Sequence, residues 1–185
     1  FKGGITHLFD AENSYVPYDR QFFSGGGSSV RGWQSRQLHY SKIEVSKDFS
    51  EESYRFLSNI LGSGVVLEGS YEMRYKFPRP AGIDPGIAEQ ISNIGVVGFV
   101  DFGNTYHWFA ENPKDKISMK FTDYFTKLAW AFGIGFRYDT PLGPVRLNLA
   151  LPIYRPYTSR ADYFLFNEPN VLKDLQIHID IGQSF

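Results

Sequence analysis

The chain has 185 residues, a formal net charge of -1 and no cysteine. The near-neutral charge gives no electrostatic basis for binding nucleic acid, and the lack of cysteine excludes disulfides and thiolate metal sites. No apolar run approaches the roughly 18 residues of a membrane-spanning helix, yet aromatic residues make up 17% of the chain, more than one soluble core usually needs.

The first segment, KGGITHLF, predicts the end of a strand, and a long loop follows over residues 10–63. The loop contains the sequence SGGGSSVRGW, in which glycine and serine give the backbone freedom, whereas Arg31 and Trp33 are unlike linker residues. Near the end of the loop, Ser50 is followed by two glutamates and by apolar residues at helical spacing. This pattern predicts a short amphipathic helix.

Later segments alternate between large apolar residues and small or polar ones, which is the pattern of strands with one apolar face. In LAWAFGIGFRYD the alternation is strict, and a tight turn, DTPLGP, separates this segment from VRLNLAL. SNIGVVGFVDFGNTYHW is less regular. The large residues that alternate most clearly are Tyr71, Met73, Tyr75 and Phe77, then Trp130, Phe132, Ile134 and Phe136, and finally Ile177, Ile179 and Ile181.

The alternation fits two architectures. In a soluble sandwich the apolar face packs inward, whereas in a transmembrane barrel it faces lipid and the polar face lines a wet lumen. Charges recur opposite the apolar residues, at Arg74, Lys76, Arg137 and Arg146, and short connections alternate with long ones. Both features favour the barrel. We therefore predict an all-β fold, an antiparallel transmembrane β-barrel with about five strands present, whose apolar strand faces contact lipid.

Five motifs follow one another along the chain: RQFFSGGGSSVRGW, EMRYKFP, VVGFVDFGNTYHW, GIGFRYDTPLGPVRLNLALPI and the terminal QIHIDIGQSF. In this order they resemble the C-terminal part of the BamA/TamA superfamily, the bacterial surface-antigen barrels that insert or export proteins at outer membranes. The resemblance covers nearly the whole chain and is weak over residues 35–63. Trp33 and the residues SRQL after it resemble the TamA branch more than the BamA branch.

The resemblance implies that residues 1–185 form the C-terminal part of a 16-stranded barrel. The loop of residues 10–63 would fold back into the lumen, and residues 64–185 would contain the last four strands. About five strands cannot close a barrel, because both edges would expose unpaired backbone to lipid. We therefore expect a longer chain, with further strands and periplasmic POTRA domains.

The resemblance also implies a latch inside the lumen. Arg31 would lie at the tip of the loop, next to Gly32, and would meet Glu72 and Asp101 on the two strands that follow. Strand phasing independently places both carboxylates on the polar face. In a wet lumen such a contact contributes on the order of 1 kcal/mol, so it would position the loop more than it would stabilise the barrel.

The last strand resembles the insertion signal of outer-membrane proteins, in which alternating apolar residues lead to an aromatic chain end. Its residues in this chain are Ile177, Ile179, Ile181, Gly182 and Phe185. In the family, this strand meets the first strand at a weak seam that opens sideways for client proteins.

The resemblance leads us to expect an assembly or translocation barrel in the outer membrane of a Gram-negative bacterium. Its partners would be the lipid bilayer, unfolded outer-membrane or secreted client proteins, and accessory assembly subunits, with no nucleic acid. The four histidines are far apart in sequence, and no nucleophile lies beside a base, so we expect no metal, cofactor or enzymatic activity. The alternatives are a two-partner secretion transporter, a passive porin-like barrel and a soluble β-sandwich that binds a lipid.

Overall fold

The computed structural model describes residues 1–6, 17–40, 62–106, 121–156, 164 and 171–182. One antiparallel sheet contains six strands in sequence order: β1 (Lys2–Ile5), β2 (Val65–Lys76), β3 (Ile94–Tyr106), β4 (Ala129–Thr140), β5 (Gly143–Tyr154) and β6 (Gln176–Ile181). The described ranges also contain two short helices, α1 (Pro85–Ser92) and α2 (Asp123–Thr126), and two 3-10 turns, Tyr18–Arg20 and Val171–Asp174. The predicted all-β, antiparallel fold is confirmed as a partial barrel. Within the described ranges, no helix is long and apolar enough to cross a membrane.

The strand count differs from the sequence prediction. The described residues form six strands instead of about five, because the opening segment KGGITHLF contributes β1, which pairs with β2 from Lys2 opposite Glu68 to Ile5 opposite Val65. Five of the described strands, β2 to β6, follow residue 64, where the sequence suggested four. β2 to β5 each contain 12 or 13 residues, enough to cross a bilayer at a tilt.

The connection between β2 and β3 contains α1, which was not predicted from the sequence. Asp84 caps this helix, because its Oδ1 accepts hydrogen bonds from the backbone N–H groups of Gly86 (2.8 Å) and Ile87 (3.3 Å). Pro85 occupies the first helical position. Both are recognised start signals of a helix. The short helix predicted near Ser50 lies outside the described residues.

The two faces of the sheet are unlike each other. On one face, which we call the open face, large apolar side chains are exposed; Ile134 on β4 is 51% accessible and Tyr71 on β2 is 67% accessible. On the other, the covered face, small and polar side chains lie beneath residues 17–40, and Ala129 and Ala131 of β4 are fully buried. This distribution is the reverse of a soluble sandwich, whose large apolar residues pack inward.

The buried core lies between the sheet and the loop. Val30, Trp33 and Leu38 of the loop pack against Ala129 and Ala131 of β4. A second cluster near the other end of the loop joins Tyr40 to Val65, Tyr106 and Tyr124. The backbone N–H of Tyr40 also donates to the carbonyl of Thr105 at 2.9 Å. Trp33 is therefore the apolar anchor that holds this glycine-rich segment on the sheet.

Candidate functional site

The VRGW segment lies in a loop that closes on itself. The backbone N–H of Gly26 donates to the carbonyl of Trp33 (3.0 Å), and that of Leu38 donates to the carbonyl of Ser24 (3.2 Å). Gly25 and Gly26 have φ values of 100° and 104°, a backbone conformation that favours glycine. The turn they make directs Arg31 toward the covered face of the sheet.

The structure brings Arg31, Glu72 and Asp101 together. The guanidinium of Arg31 binds Asp101 through two parallel hydrogen bonds, Nε to Oδ2 at 2.7 Å and Nη2 to Oδ1 at 2.8 Å. Its Nη1 donates to Oε1 of Glu72 at 2.8 Å. The backbone N–H of Arg31 also donates to Asp101 Oδ2 at 3.0 Å. The carboxylate of Asp101 therefore fixes both the backbone and the side chain of Arg31.

Ser70 and Phe99 complete the surroundings of the guanidinium, and neither was predicted. Ser70 Oγ accepts from Arg31 Nη2 at 3.1 Å and donates to Asp101 Oδ1 at 2.7 Å. The ring of Phe99 lies 3.4 Å from the guanidinium carbon, a cation–π contact. Strand alternation could have identified Phe99, because it shares the covered face of β3 with Asp101.

Gly133 on β4 leaves the space that Phe99 occupies. The two residues are directly opposite each other in the register of β3 and β4. A methyl group on Gly133 would lie 2.4 Å from the Phe99 ring and 2.3 Å from the carbonyl oxygen of Leu149. The absence of a side chain at Gly133 thus sets the position of the ring beneath Arg31.

Gly32 allows the loop to approach the sheet. A Cβ at this position would lie 2.5 Å from the Cβ of Ala131 on β4 and 3.3 Å from the Cα of Pro152 on β5. Gly32 therefore permits close packing on two strands, whereas Gly25 and Gly26 make the turn.

The contact is drier than the sequence suggested. The side chain of Arg31 is 7% exposed and that of Asp101 is fully buried, because the loop covers them. The expectation that this pair is exposed to water is therefore wrong. Removing one partner of a buried pair costs about 3–5 kcal/mol, since the other charge is left without compensation.

The charge of Arg31 is secured by its partners. Burial acts to lower the pKa of Arg31, but the hydrogen bonds and negative charges of Asp101 and Glu72 more than offset it. The pKa of the guanidinium therefore lies above its ordinary value. Arg31 stays charged at any pH at which the protein folds.

Two glutamates of β2, Glu72 and Glu68, make further contacts around the loop. Glu72 Oε2 accepts from Arg74 Nε on the same strand (2.8 Å) and from Arg137 Nη2 on β4 (3.2 Å). Nearer the β1 edge, Ser29 Oγ donates to Oε1 of the buried Glu68 at 2.6 Å. The loop is therefore held on β2 at two separate points.

His178 joins the loop to the last strand. Its Nε2 donates to the carbonyl oxygen of Arg31 at 2.9 Å. His178 has no partner at metal-binding spacing in the sequence, and this contact was not predicted. The alternation of β6 could have indicated the face of His178, since it places this residue on the other face of the strand from Ile177 and Ile179.

The predicted terminal signal is partly described. Ile177, Ile179 and Ile181 are exposed on the open face, and the backbone N–H of Gly182 donates to the carbonyl of Pro144 at 3.0 Å. Phe185 lies outside the described residues. In the described part of the chain, no three histidine or carboxylate side chains are grouped so as to hold a metal ion.

A comparison with known protein families matches this chain to one of them. The match is to the Omp85 superfamily domain, and it covers residues 1–185. The BamA/TamA resemblance of the sequence motifs is confirmed at the level of the superfamily.

Proposed function

Because the chain belongs to the Omp85 superfamily, we propose that it is part of a barrel that inserts or exports client proteins through a lateral seam in the outer membrane. Members of this superfamily are outer-membrane β-barrels that assemble or translocate proteins. The exposed apolar side chains of the open face support this placement. Trp130, Phe132, Ile134 and Phe136 alternate with buried alanines and with glycines on β4, as lipid-facing residues of a barrel strand do.

In this proposal, Arg31 is a structural latch that performs no chemistry. The observation that carries it is the two-pronged contact of Arg31 with Asp101, supplemented by Glu72. Arg31 and Gly32 together contact β2 to β6, either by hydrogen bonds or by close packing. A loop fixed in this way holds the strands beside the seam in one arrangement until a client engages.

The segment from Ile177 to Phe185 has a separate role. Ile177, Ile179, Ile181, Gly182 and Phe185 form the signal that directs the protein into the outer membrane of a Gram-negative bacterium. The partners are lipid, unfolded outer-membrane or secreted clients, and accessory assembly subunits. Trp33 and the residues SRQL after it favour the TamA branch.

Reconstitution of the full-length protein into liposomes tests this function. We expect an unfolded outer-membrane client to reach its protease-resistant barrel form faster in these liposomes than in empty ones. Unchanged client folding, together with passage of a single exoprotein, would favour a two-partner secretion transporter. Unchanged client folding together with free passage of small solutes would favour a porin-like barrel.

A further inference from the structure

A polar cleft of about 180 Å³ lies beside the latch, between the loop and the covered face of the sheet. Its charged wall residues are Arg31, Arg74, Arg137, Arg146, Glu72 and Asp180. Arg31 is paired with Asp101, so three arginines remain to face two carboxylates. The cleft therefore has an excess of one positive charge.

Two of these arginines are placed against each other. Arg137 on β4 and Arg146 on β5 are directly opposite in the strand register, where like charges destabilise a sheet. Arg137 reaches Glu72 only through Nη2 at 3.2 Å, and Glu72 also binds Arg31 and Arg74. Asp180 is the cross-strand neighbour of Arg146 on β6. Three arginines, Arg31, Arg74 and Arg137, therefore share the single carboxylate of Glu72.

Three hydrogen-bonding groups in the cleft have no partner among the described residues. The Nε atoms of Arg137 and Arg146 are buried, and no described residue accepts a hydrogen bond from them. Oδ1 of Asn148, on the same face of β5 as Arg146, is buried, and no described residue donates to it. Buried polar groups of this kind are nearly always satisfied, by protein, water or an ion. Two free donors and one free acceptor, together with the excess of one positive charge, favour an anion that has both acceptor oxygens and a hydroxyl.

We propose that this cleft binds a hydrogen phosphate group, either free or as the terminal monoester of a lipid headgroup. Phosphate oxygens accept from guanidinium N–H groups in a geometry that suits arginine. Near neutral pH a phosphate monoester retains a proton part of the time, because its second pKa is about 6. That P–OH donates to Asn148 Oδ1. Sulfate has the same shape and acceptor oxygens but no proton at this pH, so it satisfies the two arginines and not the asparagine.

Titration of the full-length protein in detergent, in phosphate-free buffer of fixed ionic strength, tests the proposal. The probes are inorganic phosphate, sulfate and a short-chain phosphatidic acid, and binding is followed by calorimetry and phosphorus NMR. We expect saturable binding of phosphate at one site, with sulfate bound more weakly. Tighter binding of phosphatidic acid than of inorganic phosphate identifies a lipid as the source, and the reverse order identifies the free ion.

Variants locate the site. Arg146→Gln is expected to weaken phosphate binding by about tenfold or more, the size of one lost charge-assisted hydrogen bond. Arg79→Gln is the matched control, because Arg79 lies in the exposed β2–β3 connection, away from the cleft, and donates to the carbonyl of Pro85. Asn148→Leu should bring phosphate and sulfate to similar affinity, and it provides a second test if Arg146→Gln does not fold.

Absence of saturable binding for both phosphate probes would overturn the proposal, and so would equal binding by the wild type and Arg146→Gln. These measurements do not involve client folding, so they can fail while the proposed assembly function holds.

Discussion

Arg31 and Asp101 are 70 residues apart in the sequence, and the carboxylate of Asp101 accepts hydrogen bonds from both the backbone and the side chain of Arg31. Such a contact fixes the position of the loop as well as the direction of its arginine. A lysine could supply the charge, but not the planar fork that meets both oxygens of Asp101. The position of the loop therefore depends on arginine geometry and not on charge alone.

Replacing Gly133 with alanine should displace the Phe99 ring that lies beneath Arg31. The added methyl group would overlap the Phe99 ring and the Leu149 carbonyl, so the ring must move from beneath Arg31. We expect a loss of about 1–3 kcal/mol in the free energy of unfolding, measured by denaturant titration in lipid or detergent. Gly98→Ala is the control, because a Cβ at Gly98 meets nothing within 4 Å. Equal stability of the two variants would contradict the packing described here.

A charge at the centre of the open face should be costly. Ile134 lies midway along β4, so Ile134→Arg should lower the free energy of unfolding in a bilayer by about 2–4 kcal/mol. Tyr138 lies on the same face near the end of the strand, and Tyr138→Arg should cost only about 0–1 kcal/mol. If the two costs in reversible unfolding were the same, the open face would not be facing lipid.

His178 should restrain the last strand. Loss of its hydrogen bond to the Arg31 carbonyl in His178→Ala removes about 0.5–1.5 kcal/mol from the local stability of β6. We expect amide hydrogen exchange to accelerate in β6 while exchange in β3 and β4 is unchanged. Gln176→Ala serves as the control, since the side chain of Gln176 donates to the nearby Asp174 carbonyl, a hydrogen bond that does not involve the loop. If His178→Ala did not change amide exchange in β6, the hydrogen bond would not stabilise this strand.

Deletion of Phe185 should affect delivery more than folding. The alternating isoleucines before it lie on the open face, and we propose that Phe185 is recognised during insertion. We expect the truncated protein to accumulate less in the outer membrane of cells while refolding normally in detergent. An equal loss in both measurements would mean that Phe185 has a structural role only.

The sequence predicted those parts of the fold in which one face of a strand differs sharply from the other. In β4, large residues on one face alternate with alanine and glycine on the other, and the pattern predicted the exposure of Phe132 and Ile134. β3 was harder to assign because Val97 and Phe99 are buried on the covered face, so both faces contain apolar residues and the alternation weakens.

Sequence motif and strand alternation predicted part of the candidate site. The VRGW motif indicated Arg31, and the phase of two strands placed Glu72 and Asp101 on its side of the sheet. The Phe99–Gly133 contact and the His178 hydrogen bond depend on strand register and on the path of the loop. Local alternation indicates which face of the sheet Phe99 and His178 occupy, but not which distant residues they contact.

The rate of client folding with Arg31→Lys tests the central claim most directly. The full-length variant is compared with the wild type in the same liposomes, after equal folding and insertion have been verified. Arg36→Lys is the matched control, because Arg36 lies on the exposed side of the same loop and donates to the Tyr18 hydroxyl. We expect Arg31→Lys to lower the rate of client folding by about tenfold or more, the effect of one lost charge-assisted hydrogen bond. Arg36→Lys should leave the rate unchanged. A wild-type rate with Arg31→Lys would show that charge alone suffices and would contradict the latch.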